Sequence, residues 1–181
     1  SQKRPVVLVG HSYGGAVITA AAAGMPQVKA LVYLAAFALE VGDSLNKLLG
    51  SMAPSEIGPA LVPDAGGFLS IAREKFHSVF CKDLPADEAH IMAVTQKPIA
   101  APIFDAKCPA AAWKSIPSWF LVSAEDRVIN PDLERFMAKR INATTSEIKS
   151  SHVAFLSQPK AVTEVIEEAV RATILKQKAV A

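Results

Sequence analysis

An unbroken apolar run, Val6-Val7-Leu8-Val9, stands near the start of the chain and gives way to Gly10-His11-Ser12-Tyr13-Gly14-Gly15. Small and apolar residues then continue to Ala23 at helical spacing. A valine-rich run this short reads as one buried strand, and the residues from Tyr13 to Ala23 read as a helix. Gly24-Met25-Pro26 supplies the breakers that end the helix. Val28 to Ala36 is a second apolar run, β-branched and aromatic enough for another buried strand. Strand, helix and strand with short connections make a βαβ unit, which predicts parallel strands joined by a right-handed crossover.

From Leu39 to about Ser115 the pattern breaks up, with Pro54, Pro59, Pro63, Pro85, Pro98, Pro102 and Pro109 separating short segments. Ser44 to Leu49 reads as a short helix capped by Asp43 or Ser44, and Asp64-Ala65-Gly66-Gly67 as a turn. Leu84-Pro85 introduces a helix over Ala86 to Val94. A structureless loop of this length does not fit a compact domain, so the stretch is expected to be an inserted cap of short helices. Its aromatic residues Phe68, Phe76, Phe80, Phe104 and Trp113 are expected to pack internally rather than to touch a ligand.

Regular periodicity returns with Ser118 to Ser123, a third strand followed by Ala124-Glu125-Asp126. Pro131-Asp132 opens a helix through Arg140, and Thr145 to Lys149 is a more polar fourth strand followed by Ser150-Ser151-His152. From Pro159 a last helix carries Val162, Val165, Ile166, Ala169, Val170 and Ile174 on one face. The fold class is α/β, a mostly parallel sheet flanked by helices. Residues 1–38 and 116–181 form the core, and 39–115 form the cap.

Composition narrows the choice of function. The chain has 181 residues, 51% apolar and 20% charged, which suits one globular domain with a substantial core. The net charge is +2 and no Lys/Arg cluster points to nucleic acid; Lys176-Gln177-Lys178 reads as a solvated helix end. No run of about 18 apolar residues predicts a membrane span. No signal peptide is visible and a cytoplasmic location is expected. Cys81 and Cys108 could pair or stay free.

The chemistry concentrates in Gly10-x-Ser12-x-Gly14, set between a strand and a helix. That context is what a nucleophile elbow requires, because a sharp turn must lift the serine above the sheet edge. A β-carbon at Gly10 or Gly14 is expected to crowd the turn, and the Tyr13 backbone N–H is expected to face a developing oxyanion at the helix N-terminus. The competing reading makes Ser12 a simple helix cap. A phosphate loop is not expected, because no Lys-Ser or Lys-Thr follows the glycines.

In open α/β sheets, reacting groups gather at the carboxyl ends of the strands. Ser12, Asp126 and His152 all occupy such ends, and a nucleophile, a base and an acid that orients the base are the parts a serine mechanism needs. Glu125 competes with Asp126 for the acid. His11 adjoins Ser12 but points elsewhere in an elbow, so it is a poor base. His77 and His90 are expected to be surface or packing residues. His77-x-x-x-Cys81 offers too few ligands for a metal, and no metal or organic cofactor is expected.

The stretches Val7 to Gly15, Ala124-Glu125-Asp126-Arg127-Val128-Ile129 and Ser151 to Pro159 together resemble the α/β-hydrolases. The chain is similar to the C-terminal two-thirds of bacterial relatives of the methyl-salicylate esterase and hydroxynitrile lyase group. The resemblance implies Ser12 as nucleophile, His152 as base and Asp126 rather than Glu125 as acid, acting on a small, largely apolar carboxylic ester. Hydroxynitrile lyases of the group carry lysine directly after the histidine; Val153 stands here, which favours ester hydrolysis over a lyase reaction. Full members also have strands before the elbow, and a loop there donates a second oxyanion N–H. Additional N-terminal sequence, or a second chain, is therefore expected to complete the sheet. The alternative is a hydrolase-like scaffold or binding protein without turnover.

Overall fold

The computed structural model describes residues 4–175, so Lys176-Gln177-Lys178 lies outside the described residues, as does the side chain of Ile174. The main sheet has four parallel strands in the order β1 (Val6–Ser12), β2 (Val28–Ala36), β6 (Ser118–Ser123) and β7 (Thr144–Ile148). Helix α1 (Tyr13–Ala21) makes the crossover from β1 to β2, as strand-helix-strand periodicity predicts.

The two faces of the sheet explain why β2 and β6 read as unbroken apolar runs. Leu31, Tyr33, Phe120 and Val122 face one side and pack with Ala16 and Ile18 of α1 and with Leu133 and Met137 of α5 (Pro131–Arg140). Their neighbours Val32, Leu34, Trp119 and Leu121 face the other side and meet Val162, Val165 and Ala169 of α7 (Pro159–Val170). A strand covered on both faces is written mainly in apolar residues, and the polar ones here, Lys29, Ser118 and Ser123, lie toward the strand ends. Thr19 is fully buried, and its hydroxyl lies 2.9 Å from the Tyr33 hydroxyl and bonds to the Gly15 carbonyl.

The stretch between β2 and β6 holds more than short helices. It contains α2 (Leu45–Leu49), capped by the Ser44 hydroxyl, and the helix pair α3 (Arg73–Phe80) and α4 (Ala86–Thr95). It also contains a three-stranded antiparallel sheet of β3 (Leu61–Pro63), β4 (Phe68–Ile71) and β5 (Ile99–Ala100). Asp64 Oδ1 accepts the N–H groups of Gly66 and Phe68 in the turn between β3 and β4. Leu45, Leu48, Cys108 and Ala112 join the main core, whereas Phe76, Cys81, Leu84, Ala89 and Ala93 form a separate cluster that encloses Val153. Both cysteines are free and buried, and burial pushes the Cys81 thiol up to about 11.

Beyond β7, the short helix α6 (Ala154–Ser157) leads into α7, and a single π turn (Arg171–Leu175) follows it. Glu167 on α7 pairs with Arg171 one turn later at 3.0 Å. Among the described residues no helix is long and apolar enough to cross a membrane.

Candidate active site

Ser12 occupies the junction of β1 and α1 with φ 53° and ψ −123°, in a region that L-residues rarely adopt. Its carbonyl accepts the Phe37 N–H at 3.1 Å, which ties the turn to the end of β2. The side chain makes no capping bond to α1, so the helix-cap reading does not hold. A β-carbon on Gly10 would stand 2.5 Å from the Gly14 carbonyl oxygen, so nothing larger than glycine fits there. At Gly14 the expectation of crowding fails, because a β-carbon meets no atom within 4 Å. The crowded neighbour is Gly15, where a β-carbon would lie 2.7 Å from the Phe37 carbonyl oxygen. Which glycine is tight depends on how the chain leaves β2, and the pentapeptide carries no information about that.

Pairing of β6 with β7 brings their carboxyl ends together, and Asp126 Oδ2 lies 2.5 Å from His152 Nδ1. Asp126 Oδ1 accepts the N–H groups of Val128 at 2.6 Å and Ile129 at 3.1 Å. With every carboxylate oxygen supplied with donors, Asp126 is suited to hold the Nδ1–H tautomer of His152. The other ring nitrogen, Nε2, is then an acceptor. It is buried and has no hydrogen-bond partner, so no bond to Ser12 Oγ is made in this structure. Such bonds commonly tighten only when substrate is bound. Glu125, the rival acid, points instead to Lys82 at 2.9 Å and Lys149 at 3.5 Å. Arg127 pairs with Glu56 rather than with Asp126.

His11 is no base for Ser12. Its Nε2–H donates to the His152 carbonyl at 2.8 Å, and its ring lies 4.5 Å from the His152 ring. Burial, followed by the nearby His152, lowers the His11 pKa to about 3, so it stays neutral while it braces the histidine loop. His77 bonds the Leu84 carbonyl at 2.9 Å, and His90 is exposed. No group of three or more residues suited to a metal occurs among the described residues.

Glu134 is a residue that reading the sequence passed over. It is fully buried on α5, Oε2 accepts the Ser123 N–H at 3.1 Å, and Oε1 has no partner. Burial, reinforced by the charge of Asp126, holds its carboxyl well above the usual range. The signal was its spacing: Glu134 stands three, four and seven residues before Met137, Ala138 and Ile141, all of them buried.

Ser12 and Tyr13 open onto a cavity of about 450 Å³ between the sheet and the stretch that joins β2 to β6. Phe37, Phe76, Phe80 and Phe104 line it together with aliphatic side chains. Phe76, Phe80 and Phe104 therefore face the cavity, against the expectation that the cap aromatics only pack internally. Trp113 follows that expectation and donates its Nε1–H to the Leu39 carbonyl at 2.8 Å, whereas Phe68 is exposed.

The profile of the Alpha/beta hydrolase family matches residues 1–165. The chain belongs to this family. An alpha/beta hydrolase of Aspergillus novofumigatus, nvfD, is 30% identical over 180 residues, covering 91% of this chain and 69% of that protein. A carbendazim-hydrolyzing esterase of Nocardioides is 43% identical over 89 residues, covering 49% of this chain and only 35% of the esterase. Among solved structures the pyrethroid hydrolase PytH superposes with a TM-score of 0.77 at 23% identity, over 95% of this chain and 72% of that one. The last likeness establishes the α/β-hydrolase fold. The matched family and the relatives' names agree with the hydrolase and esterase resemblance carried by the three stretches around Ser12, Asp126 and His152.

Proposed function

We propose that the chain is a serine carboxylic-ester hydrolase in which Ser12 is the nucleophile, His152 the base and Asp126 the acid that orients it. The observation that carries this reading is the buried Asp126–His152 pair, which leaves Nε2 unpartnered while Ser12 sits in a strained turn at the mouth of an apolar cavity. His152 Nε2 takes the Ser12 hydroxyl proton as Oγ attacks the ester carbonyl carbon. The tetrahedral intermediate then collapses, the bond to the alcohol oxygen breaks, and His152 returns the proton to the leaving alcohol. Water, deprotonated by the same nitrogen, attacks the acyl-enzyme and frees the acid and Ser12. The Tyr13 N–H, at the start of α1, donates to the oxyanion.

The cavity's lining favours a small, largely apolar ester. Among the described residues β1 pairs on one side only, with β2. An additional segment or a second chain that extends the sheet at this edge would bring the loop that supplies the second oxyanion donor. Absence of that donor weakens the intermediate by about 3–4 kcal/mol, and this favours a second reading, a hydrolase-like scaffold without turnover. Hydrolysis of short p-nitrophenyl esters separates the two. Turnover by the wild type that is abolished in Ser12→Ala supports the hydrolase. Equal rates for both proteins exclude Ser12 as nucleophile.

A further inference from the structure

One corner of the cap, between α3 and α4, meets both loops of the constellation. Asp83 Oδ2 accepts the Ser151 N–H at 2.8 Å, and Asp83 Oδ1 accepts the Ser151 hydroxyl. Ser151 is the residue before His152. Lys82 pairs with Glu125 at 2.9 Å, and Glu125 is the residue before Asp126. On the other side of His152, Val153 is fully buried in the cap cluster with Phe76, Cys81 and Leu84. The Phe80 ring stands edge-on to His152, with centroids 5.0 Å apart. Consecutive cap residues thus grip the residue preceding the acid and the residue preceding the base.

We propose that Lys82 and Asp83 are positioning residues that hold the acid loop and the histidine loop at the spacing their pair requires. The proposal rests on reading Ser12, His152 and Asp126 as the hydrolytic residues. It comes from where His152 lies: in the irregular segment between Ile148, the end of β7, and Ala154, the start of α6. No ladder of strand or helix bonds fixes that segment. Its restraints include the Glu125 N–H to the Ser150 carbonyl at 3.1 Å, the Ser150 hydroxyl to the Ser123 hydroxyl at 3.1 Å, the Gln158 amide to the Lys149 carbonyl, and the His11 bond to the His152 carbonyl. Asp83 alone holds Ser151, the residue next to His152, by both its N–H and its hydroxyl. Ser151 is 1% exposed, so without Asp83 its N–H and hydroxyl lose their acceptor inside the protein, and the loop must move to satisfy them. Asp83 itself stands at the exposed rim, where it can be replaced without opening a cavity in the core. Burial is the largest single influence and opposes its charge, yet the donors around it, Ser151 first among them, together outweigh burial and lower its pKa. The cap would then act on the chemistry directly, because a shift of its corner separates His152 from Asp126.

The test compares the full chain with Asp83→Ala, Asp83→Asn, Ser151→Ala and Lys82→Met, using ester turnover and the downfield proton resonance of His152 Nδ1–H. Asp83→Ala is expected to fold and to lower kcat on the order of 100-fold, as displaced catalytic groups do. KM should change little, and the Nδ1–H resonance should broaden or shift. Asp83→Asn keeps one acceptor and should recover part of both signals, while Ser151→Ala and Lys82→Met should show smaller losses. Ile91→Ala, 60% exposed on α4, should match the wild type and serves as the cap control. Wild-type kcat and an unmoved resonance in Asp83→Ala would overturn the proposal, and so would a rise in KM alone, which marks a role in the cap only. If Asp83→Ala does not fold, Ser151→Ala and Lys82→Met decide by the same readouts, and wild-type behaviour in both overturns it. If the wild type hydrolyses no ester, the functional reading fails, and the Nδ1–H resonance of the variants still decides whether the corner positions the pair.

Discussion

His11 should make the protein acid-sensitive in a measurable way. In the fold its pKa is lowered from 6.5 to about 3, with burial as the first cause and the adjacent His152 as the second. The unfolded chain takes up a proton on His11 below about pH 6.5, while the folded chain resists it. The stability this contributes is therefore complete above the unfolded value and is lost as pH falls toward the folded one. Each unit of that window is about 1.4 kcal/mol, so lowering the pH from about 7 to about 4 removes at most about 3 kcal/mol through this group. Asp126 and His152 act electrostatically on the ring, so the comparison must be between two proteins rather than within one. His11→Gln keeps a donor for the His152 carbonyl and does not titrate. Urea unfolding at several pH values should give a curve for His11→Gln that falls less steeply than the wild-type curve by about that amount. Its stability near neutral pH should be lower by about 1 kcal/mol, from the lost ring contacts with His152 and Phe155. Parallel curves for the two proteins would refute the reasoning.

Gly10→Ala should abolish ester turnover and lower the melting temperature, because its β-carbon would meet backbone at 2.5 Å, whereas Gly14→Ala, in open space on α1, should raise stability by about 0.5–1 kcal/mol. Thermal melts of both variants check this, and equal loss in both would refute the geometry of the elbow. Glu134→Gln should gain on the wild type as pH rises, since the fold holds a proton on Glu134 that the unfolded chain releases above about pH 4.3. The stability difference measured by urea unfolding at about pH 4 and about pH 8 should open in favour of Glu134→Gln, and a constant difference would show that Glu134 is ionised in the fold.

Much of the core was legible because parallel strands covered on both faces must be written as continuous apolar runs. The Ser118 to Ser123 run, the helix from Pro131 to Arg140, and the order of Ser12, Asp126 and His152 all arise from local pattern, whereas the Asn130 cap of that helix was not read. The small cap sheet did not, because β3 has three residues and β5 two, too few for any period. The Gln96 side chain also bonds the N–H and carbonyl of Ile71, replacing strand pairing with a side chain. Asp83 carries no local signal of its role, since its partner Ser151 is 68 positions away. His11 and Gly15 likewise take their roles from distant backbone, the His152 and Phe37 carbonyls. Residues whose work is done on a neighbour in sequence are readable, and those whose work is done across the fold are not.

The measurement that bears most directly on the central claim is the site of covalent labelling by a fluorophosphonate, read by intact mass and peptide mapping. A single adduct on Ser12, absent in Ser12→Ala and strongly slowed in His152→Ala, is the expected result. An adduct that forms elsewhere, or that persists in Ser12→Ala, would contradict the assignment of Ser12 as the nucleophile.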